Sequence, residues 1–379
     1  MENFVAHIPT RLHFGKDVVK ELGKTAKSIG HHALLVYGKG SVLRNGSYDA
    51  VKKQLDASGI NITEYNGIKP NPVVSDVDKA TSLGRLNNVD MVVAVGGGSV
   101  IDSAKIISLC IAGNYKGWDV MKHKVKPTRS LPLIAVLTLA ATGTEMNPFS
   151  VIQNPETKEK IGYANPLIYP AYSFLDPQYT SSVPVNHTAY GIADLVAHCL
   201  EAYFGGGECS LSDRFVFAII QEAMEYGPAL LNDPHNYDLR ARIMWAATTA
   251  LNGLTLYGKA NGDFGVHDIG HTLSFLYDTP HGASLTIAFP AWMKVLKSRM
   301  ADRLVKLGEN LFNTPDPDAT IAGLETFFRK IQCPVRMSET GIGHEKHTEI
   351  LELMNQNNVS GNNYSLSKID RENIVAQMA

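Results

Sequence analysis

Short, nearly continuous apolar runs mark the first half of the chain, at residues 32–37 (HALLVY), 91–95 (MVVAV) and 131–139 (LPLIAVLTL). Runs of that length without polar alternation predict strands buried on both faces. Residues 62–65 and 172–176 predict two more strands. Between them, residues 48–58, 75–88 and 100–112 carry apolar positions at helical spacing. Residues 4–7 and 11–14, flanking Pro9-Thr10, predict a hairpin; residues 149–163, turning at Asn154-Pro155, predict a polar one. Strands alternating with helices, with glycines at the strand ends, predict a parallel sheet covered by helices. After Pro177 the period becomes helical, over residues 187–204, 211–231, 238–256, 266–277 and 284–298, then in shorter pieces. Gly205-Gly206-Gly207 stops the first of these helices, and Ser367 with Asp370 predicts a capping box on the last. The expected organisation is an α/β domain over residues 1–182 and an all-helical domain over residues 183–379, without internal repeats or a long linker.

Charge narrows the function classes. Thirty-five basic residues face thirty-seven acidic ones, so no charge excess points to nucleic acid or an anionic membrane. The first sixteen residues lack the apolar core of a signal peptide, and no apolar run is long enough to span a bilayer. Cys110, Cys199, Cys209 and Cys333 are scattered, with no C-x-x-C pair, which fits a reducing compartment. A cytoplasmic protein acting on small molecules is expected.

Candidate chemistry sits at the strand ends and in the helical half. Residues 91–112 read as buried strand, three glycines and helix. Gly97, Gly98 and Ser99 would let a pyrophosphate approach the helix N-terminus; alternatively, Ser99 and Asp102 form an ordinary capping box. The earlier loop Gly38-Lys39-Gly40-Ser41 lacks the acid that binds a ribose 2′-hydroxyl in NAD sites. Lys39 and Ser41 suit a 2′-phosphate instead, which favours NADP(H), with NAD(H) as the alternative. In the helical half, residues 265–282 (GVHDIGHTLSFLYDTPHG) hold His267, His271 and His281. Upstream, Asp194 and His198 lie four apart on one helix face, as do His267 and His271. Three histidines and an aspartate suit a borderline divalent metal such as Zn²⁺ or Fe²⁺. His123, His187, His235, His344 and His347 are expected at the surface.

These motifs together resemble the iron-dependent, or group III, alcohol dehydrogenases, in the branch of butanol dehydrogenases and NADPH-dependent aldehyde reductases. The likeness runs through YGKGS at 37–41, KPNP at 69–72, GGGSVIDSAK at 96–105, LTLAATGTEMN at 137–147, YGIADLVAHCLE at 190–201 and HDIGHTLSFLYDTPHG at 267–282. It implies the iron-containing alcohol dehydrogenase (dehydroquinate synthase-like) fold: a dinucleotide-binding α/β domain, a helical domain and an active site in the cleft between them. It assigns the metal to Asp194, His198, His267 and His281, and moves His271 to the substrate side, in proton transfer. It also implies cofactor contacts at Gly38, Gly40, Ser41, Asn71, Gly97, Gly98, Ser99, Asp102, Thr138, Thr142, Asn147, Lys160 and Tyr179. The implied substrate is a short aldehyde or primary alcohol, and the implied assembly a homodimer. Two positions depart from the family pattern: Lys39 stands where a glycine is usual, and Leu195 is bulky. A related lyase would need basic residues for a phosphorylated acid substrate, and the stretches near the histidines are mostly apolar. A nucleotide-binding sensor would have lost a ligand, and all four are present.

Overall fold

A computed structural model describes all residues, Met1–Ala379. Its strands are β1 (Arg11–Phe14), β2 (His32–Gly38), β3 (Asn61–Ile68), β4 (Met91–Gly96), β5 (Leu133–Leu137), β6 (Phe149–Asn154), β7 (Glu159–Ala164) and β8 (Tyr172–Leu175). The helices of the first half are α1 (Leu22–Lys27), α2 (Ser41–Arg44), α3 (Ser47–Ala57), α4 (Val74–Leu86), α5 (Gly98–Gly113) and α6 (Gly117–Met121). Those of the second half are α7 (Val185–Tyr203), α8 (Ser210–Asn232), α9 (Tyr237–Ala250), α10 (Gly265–Tyr277), α11 (His281–Leu296), α12 (Ala301–Leu311), α13 (Pro317–Lys330), α14 (His347–Gln356) and α15 (Lys368–Gln377). Two compact units result: His7–Val183 with His235–Met244, and Met1–Ala6 with Pro184–Pro234 and Trp245–Ala379.

The α/β unit is a six-stranded parallel sheet in the order β1-β8-β5-β4-β2-β3, with β6 and β7 as a separate antiparallel hairpin. Neighbouring residues of one strand feed different cores. Leu34, Val36, Val92, Ala94 and Ala135 join α4 and α5 on one face; Ala33, Leu35, Val93, Val95 and Ile134 join α1 and α3 on the other. That division explains the uninterrupted apolar runs, because a strand covered on both sides has no solvent face to mark with polar residues. The chain runs outward from β2 to β3, then returns past β2 to β4 and continues the other way. The topological switch point therefore lies at the C-terminal ends of β2 and β4, where open parallel sheets bind ligands.

The N-terminal hairpin does not form. Residues 4–7 are not a strand, and β1 pairs in parallel with β8, with Arg11 opposite Tyr172. Arg11 N donates to Ala171 O at 3.0 Å, so long-range pairing takes a main-chain donor that a local hairpin needs, and the Thr10 hydroxyl adds a bond to Pro170 O at 2.7 Å. Residues 1–6 instead lie on the helical unit, where Phe4 stacks on Tyr257 at 5.3 Å and Glu2 N donates to Gly258 O at 2.8 Å. The helix expected to reach residue 256 ends at Ala250, ahead of a turn in which Gly253 takes φ +109°. The helix expected from 284 begins at His281, directly after Pro280. The capping box on α15 forms, with Asp370 N donating to Ser367 Oγ at 3.1 Å and Ser367 N to Asp370 Oδ2 at 2.8 Å.

A buried ion cluster ties the helical unit together. Asp213, on α8, is 2% exposed and accepts from Lys259 Nζ at 2.7 Å and Arg303 Nη1 at 2.7 Å. Arg303 in turn lies over the Tyr203 ring at 3.6 Å, at the end of α7. Burial works to raise the Asp213 pKa, but Arg303 and Lys259 outweigh it and hold the group at about 2. The folded pKa lies below the unfolded one, so this stabilisation is present above the unfolded value and is lost as pH falls through about 2. Asp213→Asn is expected to cost about 3 kcal/mol at neutral pH, because the buried Lys259 and the half-buried Arg303 lose their counter-ion. In urea melts, the gap to the wild type should narrow between pH 4 and pH 2; a gap unchanged over that window would refute the assignment.

Candidate metal and dinucleotide sites

Asp194 and His198 are presented by one face of α7, and the ends of α10 and α11 bring histidines to the same carboxylate. His198 Nε2 lies 3.7 Å from Asp194 Oδ1, His267 Nε2 3.8 Å and His281 Nε2 3.6 Å. The donor atoms of Asp194, His267 and His281 all fall within 4.8 Å of one another. Asp194, His198 and His267 are buried, and His281 has 28% of its side chain exposed. Gly282 makes this approach possible: a Cβ there would stand 2.1 Å from Tyr190 O on α7. Gly270 does the same for α10 against α11, where a Cβ would meet Ser284 Oγ at 2.8 Å.

The separations test whether a cation fits. Distances of 3.6–3.8 Å exceed hydrogen-bond range. They are near the ligand–ligand edge of about 3.4 Å that metal–donor bonds of about 2.1 Å make in a tetrahedral set. Asp194 Oδ1 and His267 Nε2 are buried without a hydrogen-bond partner, an arrangement that buried polar atoms avoid unless something else satisfies them. Electrostatics agree. Burial works against a charged His267, yet Asp194 and Glu201 hold its pKa up to about 9. Burial also raises Asp194, but His198, His281 and His267 together leave it well below the usual carboxylate range. The pocket is built to hold positive charge, and imidazole and carboxylate donors are the kind that Zn²⁺ or Fe²⁺ take.

His271 is buried one turn along α10 from His267. Its ring stacks on that of His281 at 5.5 Å and stands 6.4 Å from that of His267.

The residues expected at the dinucleotide gather at the C-terminal edge of the parallel sheet. Gly38 ends β2, with Gly40 and Ser41 just after it, Asn71 follows β3, and Gly97 to Asp102 follow β4. Thr138, Thr142 and Asn147 follow β5, and Tyr179 follows β8. Lys160, on β7, joins this edge by donating to Asn71 Oδ1 at 3.0 Å. Gly98 is close-packed, since a Cβ there would meet Thr142 Cγ2 at 2.7 Å. The alternative expectation for this loop, a Ser99–Asp102 capping box, does not hold. Helix α5 starts at Gly98 with no side-chain cap, and Ser99 Oγ instead donates to Pro70 O. Asp102 accepts from Thr144 Oγ1 at 2.5 Å and Val151 N at 2.8 Å, holding the β5–β6 segment. Asn147 is buried and engaged likewise, accepting from Phe149 N at 2.9 Å. Tyr179 packs into the core on the α1–α3 face, and burial pushes its hydroxyl up to about 12.

Four residues near these sites have no role assigned by the sequence motifs. Lys105, 0% exposed on helix α5, donates to Thr144 Oγ1, Asn147 O, Asn147 Oδ1 and Phe149 O; its signal is a lone lysine leading into the mostly apolar run of residues 106–112. Arg44 lies against the β2 loop, where a Cβ on Gly40 would stand 3.2 Å from its Nη1. Glu201 falls seven residues after Asp194, on the same helix face. Asp263 has no periodic signal; it accepts from Gly265 N, Asn363 N and Tyr364 N. Burial first, and then the charge of Glu201, push its carboxyl up to about 7. Of the two departures from the family pattern, Lys39 is exposed and Leu195 is fully buried in α7. No helix is long and apolar enough to cross a membrane.

A family model for iron-containing alcohol dehydrogenase matches residues 9–177, and one for the C-terminal part of the Fe-containing alcohol dehydrogenase family matches residues 188–379. The chain is 40% identical to a probable NADH-dependent butanol dehydrogenase 1 of Bacillus subtilis, covering 98% of each sequence. It is 34% identical to the NADPH-dependent aldehyde reductase YqhD of Escherichia coli, covering 97% of each. The crystal structure of NADH-dependent butanol dehydrogenase A from Thermotoga maritima superposes with a TM-score of 0.96, at 35% identity, over 100% of this chain and 99% of that one. The likeness extends through both halves of the chain, and the protein belongs to the iron-containing alcohol dehydrogenase family, oxidoreductases that act on alcohols.

Proposed function

We propose that this chain reduces short-chain aldehydes, and oxidises the matching primary alcohols, with NADP(H) and one divalent metal held by Asp194, His198, His267 and His281. The observation that carries the reading is the set of three imidazole Nε2 atoms around one buried carboxylate oxygen. When bound there, the metal supplies a Lewis acid for the carbonyl oxygen, and the nicotinamide supplies or takes the hydride. The protein's own part is to position and to move a proton. His271, stacked beside His281, holds a proton within reach of an oxygen that becomes an alkoxide. Thr142 and Asn147 shape the loop beyond β5, and Gly97 and Gly98 leave backbone N–H groups open to a pyrophosphate.

The choice of NADP(H) rests on charge at the loop after β2. Lys39 is exposed there, Arg44 stands over Gly40, and no acid occupies residues 38–41. Two cations without an acid favour a 2′-phosphate over a 2′-hydroxyl. The relatives are divided: the Bacillus subtilis and Thermotoga maritima proteins are named for NADH and the Escherichia coli one for NADPH. Kinetics with NADPH and NADH over an aldehyde series, with metal content measured on the same sample, test both parts. Lys39→Ala is expected to lower kcat/KM for NADPH by about 10- to 100-fold, the size of one charge-assisted contact, and to leave NADH unchanged. A wild-type preference for NADH would overturn the nucleotide assignment; no aldehyde-dependent oxidation of either nucleotide by metal-loaded protein would overturn the function.

A further inference from the structure

Glu201 has no place among the ligands, yet it is 0% exposed beside one of them. Its Oε1 accepts from His267 Nδ1 at 3.0 Å and from His267 backbone N–H at 2.9 Å. Its Oε2 has no hydrogen-bond partner. On α7 the residues Asp194, His198 and Glu201 follow at i, i+4 and i+7, so one helix face carries all three.

Two needs converge on this carboxylate. Helix α10 begins after Phe264, which is in the left-handed region and offers no side-chain cap, so the N–H groups of its first turn need outside acceptors. Asp263 takes the Gly265 N–H, and Glu201 takes the His267 N–H. A cap alone does not call for a fully buried carboxylate with one idle oxygen, because burying such a charge costs several kcal/mol unless opposite charge compensates it. The second contact supplies the reason. A carboxylate at Nδ1 takes the Nδ1–H, which leaves Nε2 as the lone-pair atom, and Nε2 is the atom that faces Asp194 Oδ1 at 3.8 Å. Carboxylates behind ligating histidines fix tautomer and ring direction and raise ligand basicity.

We propose that Glu201 is the positioning residue of the metal centre: it locks His267 in the Nδ1–H tautomer and aims Nε2 at the site while closing the start of α10. The proposal rests on His267 being a metal ligand, and the test separates the two. Chelator-stripped protein is titrated with Co²⁺ and followed by visible d–d absorption, for the wild type, Glu201→Gln, Glu201→Ala and His267→Ala. Thermal melts of the metal-free forms check folding. Glu201→Ala is expected to bind Co²⁺ 10- to 100-fold more weakly, the range for lost outer-shell partners. Glu201→Gln keeps an acceptor for both N–H groups but drops the charge; it is expected to fold, to bind about 10-fold more weakly and to shift the d–d bands. A folded Glu201→Ala with wild-type affinity and spectrum would overturn the proposal, as would a wild-type titration by Glu201→Gln if the alanine variant does not fold. If His267→Ala binds Co²⁺ as tightly as the wild type, the ligand assignment falls, and the proposal with it.

Discussion

Asp194→Asn is expected to purify without metal and to lose about 10³-fold or more in kcat/KM, corresponding to the several kcal/mol that a Lewis acid contributes. The reason is geometric. Three imidazoles on three different helices converge on one oxygen of this side chain, so it is the shared vertex of the donor set. Asparagine keeps the shape but removes the charge that balances a dication, and a neutral amide oxygen is a poor fourth donor beside three neutral imidazoles. The fold should survive, because the helix is held by apolar neighbours such as Ile192, Val196 and Leu200, all 0% exposed. His271→Ala is the companion experiment. It should keep one metal per chain, measured by elemental analysis, and lose only rate. Metal retained in Asp194→Asn, or lost in His271→Ala, would contradict this division of roles.

The second large effect is on stability. Lys105→Met is expected to destabilise the α/β unit by about 3–5 kcal/mol, the usual result of removing one partner from a buried charged network. The ammonium is 0% exposed and donates to four oxygens at 2.7–3.1 Å, two of them main-chain carbonyls. Methionine fills the same volume without donors, so the Asn147 and Phe149 carbonyls each lose a buried charged donor, at about 1–3 kcal/mol apiece. Burial lowers the Lys105 pKa to about 7, while Asp102 and Glu145 oppose that shift. The segment that would loosen carries Thr142 and Asn147, so weaker NADPH binding by the folded fraction should accompany the lower urea midpoint. An unchanged midpoint would show that water replaces the lysine at no cost.

Much of the fold was legible because it obeys period. Strands β2, β4 and β5 are covered on both faces and therefore read as unbroken apolar runs; α7, α8 and α10 show helical spacing. The N-terminal hairpin misled for the same reason that it was predicted. Residues 4–7 and 11–14 look like local partners, but Pro9 lacks an N–H and the Arg11 N–H donates instead to Ala171, beside the Thr10 hydroxyl on Pro170. Pairing across 160 residues leaves no local trace. The Ser99–Asp102 box failed because α5 already starts at Gly98, which puts Ser99 inside the helix, and Asp102 is engaged by Thr144 and Val151.

What the sequence determined by itself was the inventory: two textures of chain, glycines at the ends of buried strands, and Asp194, His198, His267, His271 and His281 at spacings that share helix faces. Spacing along a helix is a local property, so it survives without coordinates. Only the tertiary structure decided which of those groups meet. It brought α7, α10 and α11 together through Gly270 and Gly282, where any side chain would collide, and so placed three imidazoles at one carboxylate oxygen. It set Glu201 behind His267 and Lys105 beneath the β5–β6 segment. Those roles depend on through-space distances between residues tens of positions apart, and no periodicity in one chain encodes a distance of that kind.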